Sequence, residues 1–541
     1  MKRKFRSPAV LLILALGGFG GWWLGRGASP AAADPAAAVT APSPAGKAGK
    51  PAPRPALPVY RDEFRDGTTV ELFASSKPDE IILRFPSDET YQSFGFTLAG
   101  SGIRLLGKLA PLRAMRLRYE EWDELAALLN GENIIAYDGL PAVPAPGLPG
   151  DGDQEDLLGL GDSLLSWLGI TTDHAKWGAG VRIAVIDSGI VPHPALPELA
   201  GSIAITPFPR NLNRTYGHGT AVASLIAGSH PSAPGVAPAA GLVSVRVGDE
   251  SGKADSYALA AGILASLDAG VQIINISMGT TEDNPLIREA VVMAQSRGVV
   301  IVAASGNSKR DEACYPAAYP GVISVGAVDA RGTHLDFSNY GSSLSVTAPG
   351  YLVSAAWPGN RFARISGTSA SAPIVTGAIA ATMSSGSGVT MSASQAAAIV
   401  LQNANETGLP GPDSEYGYGI LDLARVMNRG IPGIVDAAIT DQRFAKAAGP
   451  GASDELLVTV QNRGTQVLVN TLLEVGTPAG TRQFNATTLA PGAIRTFSMP
   501  IRLSSLAKNS AFPVSSKLSL GTPGQDIVPH NNRREDTLYA P

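Results

Sequence analysis

The chain has 541 residues, 16% of them charged, and a formal net charge of −4. That length exceeds one compact domain and predicts about three or four units, while so weak a charge balance gives no electrostatic case for nucleic acid or for a strongly acidic partner. Its one cysteine, Cys314, excludes an intramolecular disulfide framework and a cysteine-based zinc cage.

The N-terminus "MKRKFR" is basic, and an uncharged run from Ser7 to Gly25 precedes Arg26. Such a run, as a helix, would span about 28 Å, close to the hydrocarbon thickness. Residues 1–26 therefore read as a signal anchor or a signal peptide. Length, and Trp22 and Trp23 at the outer end, favour the anchor; a signal peptide would be cut near the small residues Ser29 to Asp34. Either fate exports the rest, anchored on the periplasmic or outer face of a membrane or secreted. Residues 27–58, rich in Ala, Pro and Ser, read as a tether.

In residues 59–143, "DEIILRF", "IRLLGKL", "RAMRLRY" and "NIIAYD" read as strands, and "DETYQSFGFTLAG" and "EEWDELAALLNG" as helices. The order β-α-β-β-α-β predicts a ferredoxin-like α+β unit. The connector at 144–156, at the end of "PAVPAPGLPGDGDQED", reads as exposed and cleavable. In residues 157–428 the apolar runs "VRIAVID", "LVSVRV", "VQIINIS", "VVIVAAS" and "GVISVGAV" alternate with helical segments. One of these, "NPLIREAVVMAQSRG", has Asn284 as cap, Pro285 at the first turn and Gly298 past the end. The alternation predicts an α/β fold, a parallel sheet with helices on both faces. Residues 429–541 carry β-type runs broken by Gly, Asn and Pro, and predict an all-β immunoglobulin-like sandwich.

Three polar residues stand at strand ends or helix starts of the α/β region: Asp187 after "RIAVI", His218 in "YGHGTAVASLIAG" and Ser369 in "RISGTSASAPIVTGAIAA". Singly, each has an ordinary reading, as a turn residue, a structural histidine and a helix cap. Together they suit acyl transfer, in which a serine needs a base and the base needs a carboxylate to hold its tautomer. Asn307, after the strand in "VAASGN", adds an amide for an oxyanion, with the Ser369 N–H as second donor.

"VIDSGI", "GHGTAVAS", "AASGN" and "GTSASAP", in that order, resemble the subtilisin family of serine proteases, over Trp167 to about Met427. The resemblance implies that Asp187 orients His218, that His218 is general base and acid, that Ser369 attacks, and that Asn307 stabilises the oxyanion. It implies a serine endopeptidase acting on protein or peptide substrates. It also implies that residues 59–143 are a propeptide and intramolecular inhibitor, with a permanent accessory domain as the alternative, and that 144–156 is the processing zone. The C-terminal unit resembles CARDB-type adhesion modules, which bind a partner or brace the protease. The membrane is a partner only through residues 1–26.

Departures from the family pattern set further expectations. Family members often carry Asp in "HPDL", where it helps hold calcium; here Ala195 stands in "HPAL", so no specific motif supports calcium and no other cofactor is expected. His193 in that motif reads as structural. Arg214, four residues before His218, makes a neighbouring substrate pocket more basic or is simply solvated. Cys314 aligns with the floor of the main specificity pocket or is a buried spectator. Ser277, Met278 and Gly279, in "NISMG", resemble the segment that pairs with substrate backbone as an added strand. The reading from another class is a surface adhesion protein that uses the protease fold as scaffold; an esterase of similar fold is a third.

Overall fold

The computed structural model describes residues 60–63, 69–72, 79–129, 135–138, 157–207, 217–249, 252–385, 391–446, 454–503 and 506–539. The hydrophobic run and tether expected within residues 1–58, and the connector at 144–156, lie outside the described residues. Among the described residues no helix is long and apolar enough to cross a membrane.

The N-terminal part is a six-stranded sheet built from β1 (Tyr60–Glu63), β2 (Thr69–Leu72), β3 (Glu80–Arg84), β4 (Arg104–Leu109), β5 (Ala114–Arg118) and β6 (Ile135–Asp138), in the order β1-β2-β6-β3-β5-β4. Helices α1 (Asp88–Thr97) and α2 (Trp122–Leu129) complete it, with Ser87 capping α1 through the Thr90 N–H. The last four strands fall where the sequence placed them. The β1/β2 hairpin, "YRDE" and "TVEL", extends the sheet through a parallel β2–β6 pairing that so short a polar text does not announce. Successive strand residues point to opposite faces. Ile81, Leu83, Met115 and Leu117 pack with Tyr91, Phe94 and Leu125 from the two helices. Ile82 and Ala114, on the other face, join the core of the central domain.

The central domain holds seven parallel strands in the order β15-β14-β13-β12-β7-β11-β8: β7 (Arg182–Asp187), β8 (Gly201–Ala204), β11 (Gly241–Arg246), β12 (Ile273–Ile276), β13 (Val300–Ala304), β14 (Ile323–Val328) and β15 (Val346–Pro349). Two short hairpins, β9/β10 (Ser229–His230, Ala233–Pro234) and β16/β17 (Val353–Trp357, Arg361–Ile365), lie outside that sheet. A small helix, α3 (Leu164–Trp167), precedes it. Helices α4 (His218–Ala227), α7 (Thr368–Ser384) and α8 (Ala393–Gln402) cover one face; α5 (Ser256–Asp268) and α6 (Pro285–Ser296) cover the other. The β7 text "RIAVID" is apolar throughout because Ile183 and Val185 feed one core while Ala184 and Ile186 feed the other. Each such side chain, fully buried, contributes about 1.5–3 kcal/mol. The Asn284 side chain caps α6 through the N–H groups of Leu286 and Ile287, as its text predicts.

After α9 (Leu423–Asn428) come two antiparallel sheets, β18-β19-β22 and β21-β20-β23-β24. Their strands are β18 (Ala437–Ala445), β19 (Glu455–Asn462), β20 (Leu468–Thr477), β21 (Gly480–Leu489), β22 (Ile494–Pro500), β23 (Ala511–Ser519) and β24 (Arg533–Tyr539). Inward residues such as Val458, Leu473 and Val514 make a core of their own.

Candidate active site

The strand order turns about β7, which has β12 on one side and β11 on the other. In open parallel sheets the crevice at such a switch point, outside the carboxyl ends, is where functional groups collect. β7 delivers Asp187 there, 1% exposed. Asp187 Oδ1 accepts the Ser188 N–H at 2.6 Å, and both carboxylate oxygens lie 2.9 Å from His218 Nδ1. That contact keeps the imidazole proton on Nδ1 and leaves Nε2 as the acceptor; Nε2 has no protein partner among the described residues. Close packing explains the glycines on either side of His218. A Cβ on Gly217 would lie 2.2 Å from the Trp357 ring, and one on Gly219 would lie 2.4 Å from the Gly189 carbonyl oxygen.

Ser369 differs from expectation in one respect. The N-cap of α7 is Gly367, at φ 127°, a conformation that favours glycine. Ser369 is the second helical residue and makes no capping bond. Its N–H lies in the first turn, where no intrahelical acceptor exists. Its Oγ donates to the Ser277 carbonyl at 3.1 Å, and Ser277 Oγ donates in return to the Ser369 carbonyl at 3.3 Å. The second bond has a cause in the sequence: Pro373, four residues on and inside the helix, lacks the N–H that would have claimed that carbonyl. Behind Ser277 runs a buried relay, with Thr376 Oγ1 donating to Asn275 Oδ1 at 2.9 Å and Asn275 Nδ2 to Ser277 Oγ at 3.0 Å. Neither Thr376, Asn275 nor Pro373 was singled out from the sequence, though Pro373 stands in the quoted motif.

Asn307 ends the turn after β13. Its Oδ1 accepts the N–H and the hydroxyl of Thr368, each at 2.9 Å, which fixes the sense of the amide and leaves Nδ2 on the Gly367 side. A Cβ on Gly367 would stand 2.9 Å from Nδ2. Gly306, at φ 111°, lets the turn close over Cys314, since a Cβ there would lie 2.6 Å from Sγ. Cys314 is buried, accepts a 3.5 Å contact from Asn339 Nδ2, and burial pushes its thiol pKa up. It also abuts Gly279, whose added Cβ would lie 2.8 Å from the Cys314 Cβ. Ser277 bonds to Ser369, Asn307 bonds to Thr368 beside it, and Gly279 and Cys314 abut each other next to the Gly306 turn, whereas the Met278 side chain is buried in the apolar core on the α5/α6 face. Arg214 lies outside the described residues. His193 is taken up locally, its Nε2 3.0 Å from the Arg361 carbonyl and its Nδ1 accepting the Ala195 N–H. Ala195 offers no side-chain oxygen to a cation.

The two oxygens of one buried carboxylate hold one histidine nitrogen, a hydroxyl sits in a helix's first turn, and an amide is pinned by its oxygen. That arrangement is suited to acyl transfer, and likeness to known proteins makes the class specific. The profile of the Subtilase family matches residues 178–419. The thermostable alkaline protease of Halalkalibacterium halodurans is 37% identical over 252 residues, 46% of this chain and 68% of that protein. Subtilisin Savinase of Lederbergia lenta is 39% identical over 205 residues, 38% of this chain and 76% of that protein. A solved structure, the protease domain of PatA, is 32% identical and covers 48% of this chain and 97% of that one, with a TM-score of 0.43. The chain belongs to the subtilase family; it is a serine-type endopeptidase that acts on protein or peptide substrates.

Proposed function

We propose that the chain is an exported serine endopeptidase, made as a self-inhibited zymogen, that works through Asp187, His218 and Ser369 by way of an acyl-enzyme. The observation that carries this reading is the double contact of Asp187 with His218 Nδ1, which leaves Nε2 unprotonated and without a protein partner. In the first step the Ser369 hydroxyl turns from the Ser277 carbonyl to Nε2, gives up its proton, and its oxygen bonds to the substrate carbonyl carbon. Asn307 Nδ2 and the Ser369 N–H receive the negative charge that develops on the carbonyl oxygen. Collapse breaks the C–N bond, and the proton on Nε2 leaves with the amine. Water then gives a proton to the same nitrogen as its oxygen bonds to the acyl carbon, the ester C–O bond breaks, and Nε2 passes that proton to the Ser369 oxygen.

Around this centre, the backbone of Ser277 to Gly279 takes the substrate as an added strand, and the small Cys314 floor admits a medium or large apolar side chain. Arg214 disfavours Lys or Arg at the substrate residue next to the scissile one. Residues 59–143 act as the propeptide, 144–156 as the processing zone, and 429–541 as a CARDB-like module. Residues 1–26 direct export, by way of an anchor or a cleaved signal.

A fluorophosphonate probe tests the chemistry. The matured wild type is expected to label, and Ser369→Ala to lose both label and about 10⁴-fold or more of turnover. Asn307→Ala should lose about 10²- to 10³-fold in kcat with label retained. An unlabelled wild type after removal of the N-terminal unit would sink the proposal, and N-terminal sequencing of the native protein places the maturation point.

A further inference from the structure

Where α8 and α9 of the protease meet the β18–β24 sandwich, a cavity of about 410 Å³ is lined by Arg425 and Arg429 from the protease side and by Arg463 and Gly492 from the sandwich. The contacts of the three guanidinium groups are all with neutral oxygens. Arg425 donates to the Ala404 carbonyl at 2.8 Å, Arg429 to the Val426 carbonyl at 2.7 Å, and Arg463 to Gln461 Oε1 at 3.1 Å and the Glu406 carbonyl at 3.3 Å. The neighbouring carboxylates are engaged elsewhere. Asp422 accepts the Arg425 backbone N–H and the Asn405 amide, and Asp436 accepts the Asn531 amide. Among the described residues none of the three arginines has a carboxylate at ion-pair distance.

Three like charges around one opening repel each other unless something neutralises them. Burial, with the charge of Arg463 beside it, pushes the Arg425 guanidinium down to about 10, and burial lowers Arg463 as well. Gly492, at φ 78°, borders Arg425; a Cβ there would stand 3.6 Å from a terminal nitrogen of Arg425, in ordinary contact. Guanidinium forks match the oxygens of tetrahedral anions in geometry as well as charge.

We propose that Arg425, Arg429 and Arg463 form a site for a phosphate- or sulfate-type oxyanion that clasps the sandwich to the protease domain. Asp422 and Asp436 offset part of the positive charge from beyond ion-pair distance, and a dianion supplies the rest. The site lies apart from the residues proposed for peptide hydrolysis and does not depend on that reading.

Isothermal titration of the full chain carrying Ser369→Ala, which stops self-digestion, tests this with inorganic phosphate, sulfate, phenyl phosphate and acetate at matched ionic strength. Phosphate and sulfate are expected to bind one per chain, and acetate about tenfold more weakly or worse. Arg429 is half-buried and bonded only within its own helix, so Arg429→Gln should fold normally yet weaken phosphate about tenfold, with Arg429→Lys intermediate. Phenyl phosphate binding as tightly as the free ion supports an esterified ligand; weaker binding supports the free ion. Absence of phosphate and sulfate binding, or unchanged affinity in Arg429→Gln, overturns the proposal.

Discussion

The central domain meets its two neighbours through junctions of opposite character. On the N-terminal side the contact is a shared core: Ile82, Leu109, Leu112 and Ala114 belong to the same apolar cluster as Tyr257 of α5 and Leu286 of α6. Ion pairs rim it, Arg116 with Asp255 at 3.0 Å and Arg84 with Glu289 at 2.5 Å. Arg116 also lies 5.6 Å from the centre of the Tyr257 ring, within cation–π range. On the C-terminal side the bonds are polar, Glu406 N–H to Gln461 at 3.1 Å and Arg443 to the Gly408 carbonyl at 2.8 Å, and the sandwich keeps its core to itself. The N-terminal sheet therefore lacks one half of its burial until it docks, whereas the sandwich is complete without its neighbour. The first suits the propeptide role proposed above, and the second suits an independent module.

A pair of truncations would break this contrast most directly. Ile82→Ala and Leu473→Ala each remove a buried aliphatic chain and should each cost about 2–5 kcal/mol. The cost of Ile82→Ala should show as weaker hold of the N-terminal unit on the protease. That of Leu473→Ala should show as a lower separate melting transition of the sandwich, with peptidase activity intact. Calorimetry reads both, and a single transition shifted by Leu473→Ala would contradict the contrast.

A smaller effect is expected of Asp255→Asn. Asp255 caps α5 through the Ala258 N–H at 2.8 Å, a bond an amide oxygen can keep, so the change removes chiefly the attraction to Arg116. The loss should be about 1 kcal/mol, seen as several-fold faster release of the N-terminal unit; added salt should mimic it in the wild type.

A further effect belongs to the C-terminal junction and is a slope. Burial raises the Glu406 carboxyl from its ordinary 4.5 to about 7. Between those values the folded chain binds more protons than the unfolded one, so stability is greatest below the lower value and falls as pH rises toward the upper. Melting temperatures across that window should decline in the wild type and decline less in Glu406→Gln.

Legibility in the sequence followed periodicity and packing. The five strands read in the central domain were visible because residues alternate between two buried faces, giving unbroken apolar text. The edge strands β8 and β15, the β1/β2 hairpin, and β18, β21 and β24 were not singled out. In β21 and β24 the outward positions carry Thr, Arg, Asn and Glu, which dilute the apolar signal. Asp187, His218, Asn307 and Ser369 could be nominated because each stands at a strand end or helix start within a motif that resembles the subtilisin family. The partners that aim them could not: Thr368 looks like a turn residue, and Thr376 and Asn275 meet only across the fold. Arg425 and Arg429 lie four residues apart at the end of α9, and only the packing of two domains brings Arg463 to them. The cap reading of Ser369 failed by two positions, because Gly367 can adopt the left-handed entry and Ser369 is then inside the helix.

The proline in that helix has a consequence for engineering by propensity. Alanine is a far better helix former than proline, by about 3 kcal/mol in a free helix interior, so Pro373→Ala would be chosen on local grounds as a stabilising change. In this fold it would introduce an N–H that competes with the Ser277 hydroxyl for the Ser369 carbonyl. The repaired helix would loosen its own tie to the end of β12, beside the hydroxyl proposed as the nucleophile.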